Sequence, residues 1–194
     1  MANNTLVLQT HNWHIKRAVQ ILRAGGVIAY PTEAVWGLGC DPWNPSAVER
    51  LLYLKSRAEA KGLILACGEI RQLDFLLSAL EADQYEKLLK SWPGSNTWLI
   101  PDSRHKIPLW IKGNHAKVAV RVSKHSLIKR LSDEFGCPIV STSANPAGSP
   151  PAMNALRIRQ YFGHHLDYIV PGSLGLDKQP SRIMDLDTDA VIRT

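Results

Sequence analysis

Four short segments of this chain carry residue types that hold anions or polarise a reacting group. The first is Tyr30-Pro31-Thr32-Glu33, running on to Gly37-Leu38-Gly39. Here a short apolar strand stops at a proline, and a hydroxyl and a carboxylate emerge at its C-terminal edge, where ligands of α/β sheets sit. The glycines let backbone approach a ligand closely, or else mark a tight turn at positive φ. The second is Lys55-Ser56-Arg57, with Lys61 four residues further on. Lys55 shares a helical stripe with Val48, Leu51 and Leu52, so it leaves the apolar side of its helix and calls for an anionic partner. Three cations this close suit a triphosphate, and equally suit the C-terminal end of a helix dipole. The third is Ser141-Thr142-Ser143-Ala144-Asn145-Pro146, a run of neutral donors and acceptors for phosphate oxygens or a small polar substrate, or simply a polar turn. The fourth is Arg121, set among Val118, Ala119, Val120 and Val122. Its planar fork fits a carboxylate or phosphate two-pronged, or else an internal salt bridge. The acids nearest to it in sequence are remote, which tilts the reading toward a ligand.

The common alternatives are missing. There is no G-x-x-x-x-G-K-[ST], no H-E-x-x-H and no G-x-S-x-G, and Pro42 stands where a dinucleotide fingerprint would need its third glycine. His11, His14, His105, His115, His125, His164 and His165 form no readable constellation, and no metal-ligand set can be named. Cys40, Cys67 and Cys137 are odd in number and widely spaced, which reads as structural thiols in a reducing compartment.

Elements must position these segments. Ile15, Ala18, Val19 and Leu22 form one stripe of a helix over residues 11–24, ended by Gly25-Gly26. Strands are expected at 27–30, 63–66, 97–100, 117–122, 138–141, 167–170, 182–186 and 190–193. Asn44-Pro45 reads as an N-cap with proline in the first turn of a helix ending near Lys55. Two short helices fit 69–90, and further helices fit 125–135 and 153–162. In 117–122 the valines alternate with Ala119 and Arg121, placing them on opposite faces. Strands and helices mix without strict βαβ order, so the expectation is an α/β domain with a mixed sheet.

The chain has 194 residues, 45% apolar and 21% charged, with net charge +6. That fits one domain over 1–194 and excludes a disordered chain. No apolar run is long enough for a membrane helix, and the start lacks the basic-then-apolar pattern of a secretion signal, so a cytoplasmic location is expected. Between Arg104 and Ser132 lie eight Lys/Arg and no acid, while the rest carries 15 basic against 17 acidic residues. A one-signed segment attracts polyanions, or forms a solvated basic surface.

The phrases YPTEAVWGLGCDP, LLYLKSRAEAKGLIL, SWPGSNTWLIP, VAVRV, CPIVSTSANPAGSPP and IVPG together resemble the YrdC-type threonylcarbamoyl-AMP synthases in their short single-domain bacterial form. The likeness runs from the first helix to Ser181. It implies a twisted, mixed α/β (α+β) sheet with flanking helices and a deep basic concave cleft. It implies an enzyme, a nucleotidyltransferase that joins L-threonine, bicarbonate or CO₂, and ATP into threonylcarbamoyl-AMP and pyrophosphate. The product would serve threonylcarbamoyl modification of adenosine 37 in tRNA. By this likeness Lys55 and Arg57 are catalytic. Lys55, Arg57, Lys61, Ser143, Asn145 and Ser181 face ATP, and Thr32, Arg121 and Ser141 face threonine. ATP enters as substrate, Mg²⁺ is expected to assist, and no tightly bound metal or organic cofactor is implied. Partners would be the substrates, tRNA or RNA, and other enzymes of tRNA threonylcarbamoylation. Two rival readings are an RNA- or ribosome-binding module without activity, and another carbamoyl- or nucleotidyltransferase on the same scaffold.

Overall fold

The computed structural model describes residues 2–193, with side chains from Asn12 onward; the reading of His11 lies outside the described side chains. The first helix, α1, spans Ala2–Arg23. It begins earlier than periodicity suggested, because its apolar stripe starts only at Ile15. Ile15, Ala18, Val19 and Leu22 are all buried.

Strand β1 covers Ile28–Pro31 and β2 covers Trp36–Gly39. The second was not anticipated: four residues, two of them glycine, give no strand signal. The strands pair antiparallel, with Tyr30 opposite Gly37 and Ile28 opposite Gly39. The glycines mark no positive-φ turn; Gly39 serves close packing within the sheet, and Gly37 borders an open hollow. A Cβ on Gly39 would lie 2.6 Å from the Val140 carbonyl oxygen and 2.8 Å from the Tyr30 ring.

Helix α2 spans Pro45–Lys55 as read. Asn44 Oδ1 accepts the Ala47 N–H at 3.1 Å, and Ser56 ends the helix in the left-handed region at φ 49°. A 3-10 turn, Glu59–Lys61, follows. Then come β3 (Ile64–Cys67), a 3-10 turn at Ile70–Leu73, α3 (Asp74–Leu77), α4 (Ala82–Ser91) and β4 (Asn96–Pro101). An unanticipated single turn, α5 (Leu109–Lys112), leads to β5 (Lys117–Val122). The chain continues through α6 (Ser126–Phe135), β6 (Ile139–Ser143) and α7 (Ala155–Phe162). Strands β7 (Tyr168–Ile169), β8 (Arg182–Asp185) and β9 (Val191–Arg193) complete it.

All nine strands join one mixed sheet in the order β7-β1-β2-β6-β3-β5-β4-β8-β9. Alternation along the strands assigns two faces. Leu38, Leu65, Val118, Val120, Val122, Trp98, Ile100 and Val140 enter the larger core, which α2 joins through Val48 and Leu51. Ile28, Tyr30, Ala66 and Ile139 enter a second core with α1 and α6. These two helices cover only part of that second face. Where they stop, Ile64, Ala119, Arg121, Ser141 and Ser143 border an open hollow instead of a core.

Candidate active site

The hollow has a volume of about 660 Å³ and takes walls from β2, β3, β4, β5, β6, β8 and β9. Of the nine residues that the likeness places on a substrate, seven line it: Thr32, Arg57, Lys61, Arg121, Ser141, Ser143 and Ser181. Lys55 and Asn145 do not.

Lys55 is buried at 4% exposure. Its Nζ donates to the Ser143 carbonyl and, at 2.9 Å, to the Asn145 carbonyl. The anionic partner expected for it is thus replaced by two carbonyl dipoles of the S-x-S-x-N loop. Burial, with the Arg57 charge adding, draws the ammonium down to about 8. Asn145 is turned into the same loop: its Nδ2 donates to the Ser149 carbonyl at 2.7 Å, and its Oδ1 is buried with no hydrogen-bond partner. Lys55 therefore braces the loop from beneath while Ser143 presents its side to the hollow.

Arg57 reaches the hollow from the residue after the helix cap. Its Nη2 and Nε donate to the Gly62 carbonyl at 2.9 and 3.3 Å, which fixes its direction. Gly62 has φ +62°, and a Cβ there would lie 2.8 Å from the Lys112 carbonyl oxygen. No other residue type fits this backbone without strain. Burial holds the Arg57 guanidinium below its ordinary value. Lys61, on the same turn, is exposed.

Arg121 leaves β5 between the core valines as the alternation required. Its Nε donates to the Gly94 carbonyl at 3.0 Å, and its Nη2 lies 2.7 Å from Glu33 Oε1. The internal salt bridge that the sequence left open is present, supplied by an acid distant in the chain, and Arg121 also lines the hollow. Among the described residues, Arg121 Nη2 and Glu33 Oε2 are buried without a hydrogen-bond partner. Thr32 Oγ1 donates to the Val35 carbonyl at 2.7 Å, and Ser181 Oγ shares a 2.8 Å hydrogen bond with Thr97 Oγ1.

Sequence reasoning missed Arg193 on β9. It lines the hollow, and its Nη2 donates to the Ser181 carbonyl at 2.9 Å. Burial first, then the charges of Arg57 and Arg121, hold its guanidinium below the ordinary value, so three arginines share one field. Nothing in the pattern around Val191–Arg193 signalled this; only the pairing of β9 with β8 brings it here.

Other cations on the wall are neutralised. Lys112 Nζ is 3.0 Å from Asp102 Oδ2, and Lys117 Nζ is 2.6 Å from both Asp185 Oδ1 and Asp187 Oδ2. Lys124 pairs with Asp177, and Lys129 with Glu69 and Asp133. Five of the eight cations in the one-signed segment thus meet acids from elsewhere or from their own helix, so this segment is not the free basic surface its local charge suggested. Among the described residues, no three His, Cys, Asp or Glu side chains group to hold a metal ion. No helix there is long and apolar enough to cross a membrane.

A family model described as Telomere recombination, that of the Sua5, yciO and yrdC proteins, matches residues 20–194. A threonylcarbamoyl-AMP synthase of Stutzerimonas stutzeri is 52% identical over 182 residues, covering 94% of this chain and 97% of that protein. The crystal structure of P. abyssi Sua5 complexed with L-threonine superposes with TM-score 0.82 at 29% identity, over 89% of this chain and 51% of that longer one. E. coli YciO superposes with TM-score 0.81 at 27% identity, over 92% and 87% of the two chains.

Proposed function

The chain belongs to the Sua5/yciO/yrdC family, and from that premise we propose that it joins L-threonine, bicarbonate or CO₂, and ATP into threonylcarbamoyl-AMP and pyrophosphate. The product supplies the threonylcarbamoyl group for adenosine 37 of tRNA. The observation that carries the reading is the meeting of Arg57, Lys61, Arg121 and Arg193 with Ser141, Ser143 and Ser181 around one hollow.

The chemistry brings two anions together, since threonine's amine takes up CO₂ as a carbamate whose oxygen attacks the α-phosphorus while pyrophosphate leaves. No protein nucleophile is needed. The protein must offset the repulsion, align the reactants and stabilise charge on the departing pyrophosphate. Holding reactants in line contributes up to ~7–11 kcal/mol in favourable intramolecular reactions. Arg57, Lys61 and Arg193 would take the triphosphate, with Ser143 on the nucleotide side and Ser181 beside Arg193. Arg121 would take the threonine carboxylate, with Thr32 and Ser141 beside it. Lys55 and Asn145 would serve the nucleotide by shaping the 143–149 loop. Among the described residues, the one carboxylate lining the hollow, Asp185, is engaged by Lys117. The donor set therefore does not fit a protein-held Mg²⁺, and a Mg²⁺ entering the reaction would come on the phosphate oxygens of ATP. A cytoplasmic location, and hand-over to other enzymes of tRNA threonylcarbamoylation, accord with this activity.

Pyrophosphate release from ATP, with threonine and bicarbonate omitted in turn, tests the activity; release that persists without threonine would overturn it. The assignment of sides is tested by substitution. Arg121→Ala should raise the KM for threonine roughly 10- to 150-fold, from the ~1.5–3 kcal/mol of a hydrogen bond to a charged group, and leave that for ATP nearly unchanged. Arg57→Ala should do the reverse, and equal damage to both constants would refute the division.

A further inference from the structure

Behind Arg121 stands an acid that the reaction as described does not use. Glu33 is 2% exposed, and its neighbours Thr32 and Ala34 line the hollow. Its main chain is pinned: the Gly175 N–H donates to the Thr32 carbonyl at 2.9 Å and the Asp177 N–H to the Glu33 carbonyl at 3.2 Å. Its Oε1 accepts Ser123 Oγ at 2.6 Å and lies 2.7 Å from Arg121 Nη2. Among the described residues, its Oε2 has no hydrogen-bond partner. A buried carboxylate with an orphan oxygen is costly unless a cation adjoins it, and Arg121 is its ion-pair partner. The dependence is mutual. Gly94 holds Arg121 at Nε and Glu33 faces it at Nη2. Among the described residues, Nη1 makes no hydrogen bond to the protein.

We propose that Glu33 is a positioning residue for threonine recognition: with Gly94 it clamps the Arg121 guanidinium so that the remaining donors meet the substrate carboxylate. Because Glu33 already balances the charge of Arg121, capture of the carboxylate rests on the placement of those donors more than on net charge. The inference depends on the reading that Arg121 holds the threonine carboxylate.

Two variants separate placement from charge. Glu33→Gln keeps the length and the oxygen that accepts from Ser123 and faces Arg121 but discards the charge. Glu33→Asp keeps the charge but withdraws it by one methylene. If Glu33 acts by placement, Glu33→Asp raises the threonine KM about tenfold, equivalent to ~1.4 kcal/mol. Glu33→Gln stays within about threefold of the parent, and both keep the parent KM for ATP. Combining Glu33→Asp with Arg121→Ala should add nothing to the threonine KM of Arg121→Ala alone. A larger defect in Glu33→Gln than in Glu33→Asp, equal loss for both substrates, or additive effects in the double variant would overturn the proposal. Should Arg121→Ala itself leave the threonine KM unchanged, the reading of Arg121 fails and the positioning role with it. If Arg121→Ala raises it and Glu33→Asp does not, the positioning role alone fails.

Discussion

At the scale of single residues, Lys55 differs most from what its position suggested. The helical stripe placed it correctly on the buried side, but its charge is met by two carbonyl oxygens and not by an anion. Losing it would leave both carbonyls without that donor inside a loop that must keep its shape. Lys55→Met should therefore raise the KM for ATP at least about tenfold, matching a lost charged hydrogen bond of ~1.5–3 kcal/mol, with less effect on threonine. Its titration near pH 8 adds a second signature. Below that pH the group is an ammonium with three donors; above it, an uncharged amine with two. The ATP KM of the parent should rise as pH passes from 8 to 9.5, and in Lys55→Met this rise should vanish; a profile unchanged by the substitution would refute the bracing role. The exposed Lys61 and the half-buried Arg57 were singled out by their short spacing, which left a triphosphate and a helix end equally open; both line the hollow. Glu33 was singled out beside Thr32 at a strand's edge, but its ion pair with Arg121 was not, and Arg193 was missed, because both arise from contacts between segments distant in the chain.

At the scale of elements, β2 shows how packing can override a local pattern. Gly39 sits in extended backbone, so the reason for glycine is space and not conformation. Gly39→Ala would press a methyl against the Val140 carbonyl and the Tyr30 ring, and neither can retreat from a buried sheet. Overpacking of this kind costs ~1–3 kcal/mol, and the urea midpoint should fall accordingly; an unchanged midpoint would mean that β2 yields freely. Helix α2 and strand β5 were legible to the residue, the first from Asn44-Pro45 at its start, the second from three alternating valines. The single turn α5 was not, since four residues offer no period to detect. The helices around 69–90 were placed only coarsely, because two of the three elements there are single turns.

At the scale of the whole molecule, one ion pair is carried inside: Lys112 meets Asp102 at 3.0 Å and both are buried. Asp102 is 3% exposed. Burial alone would raise its carboxyl pKa, but Lys112 and the N–H groups of Lys106 and Ile107 outweigh burial and hold it below the ordinary carboxylate range. Between that lowered value and the usual ~3.9 the unfolded chain binds the proton more readily. The stabilisation is complete above that window and disappears as pH falls through it. Asp102→Asn should lower stability at pH 7 by ~3–5 kcal/mol, as for a broken buried pair, and flatten part of the decline below pH ~4; urea midpoints measured from pH 3 to 7 will decide. Core and hollow are drawn from the same strands by a two-residue rhythm, so the hollow depends on the register of its strands as well as on its side chains. Adding or deleting one residue within β5 would send valines into the hollow and bury a guanidinium in oil. Exchange at these sites alters one side chain, whereas inserting or deleting one residue turns over every side chain beyond it.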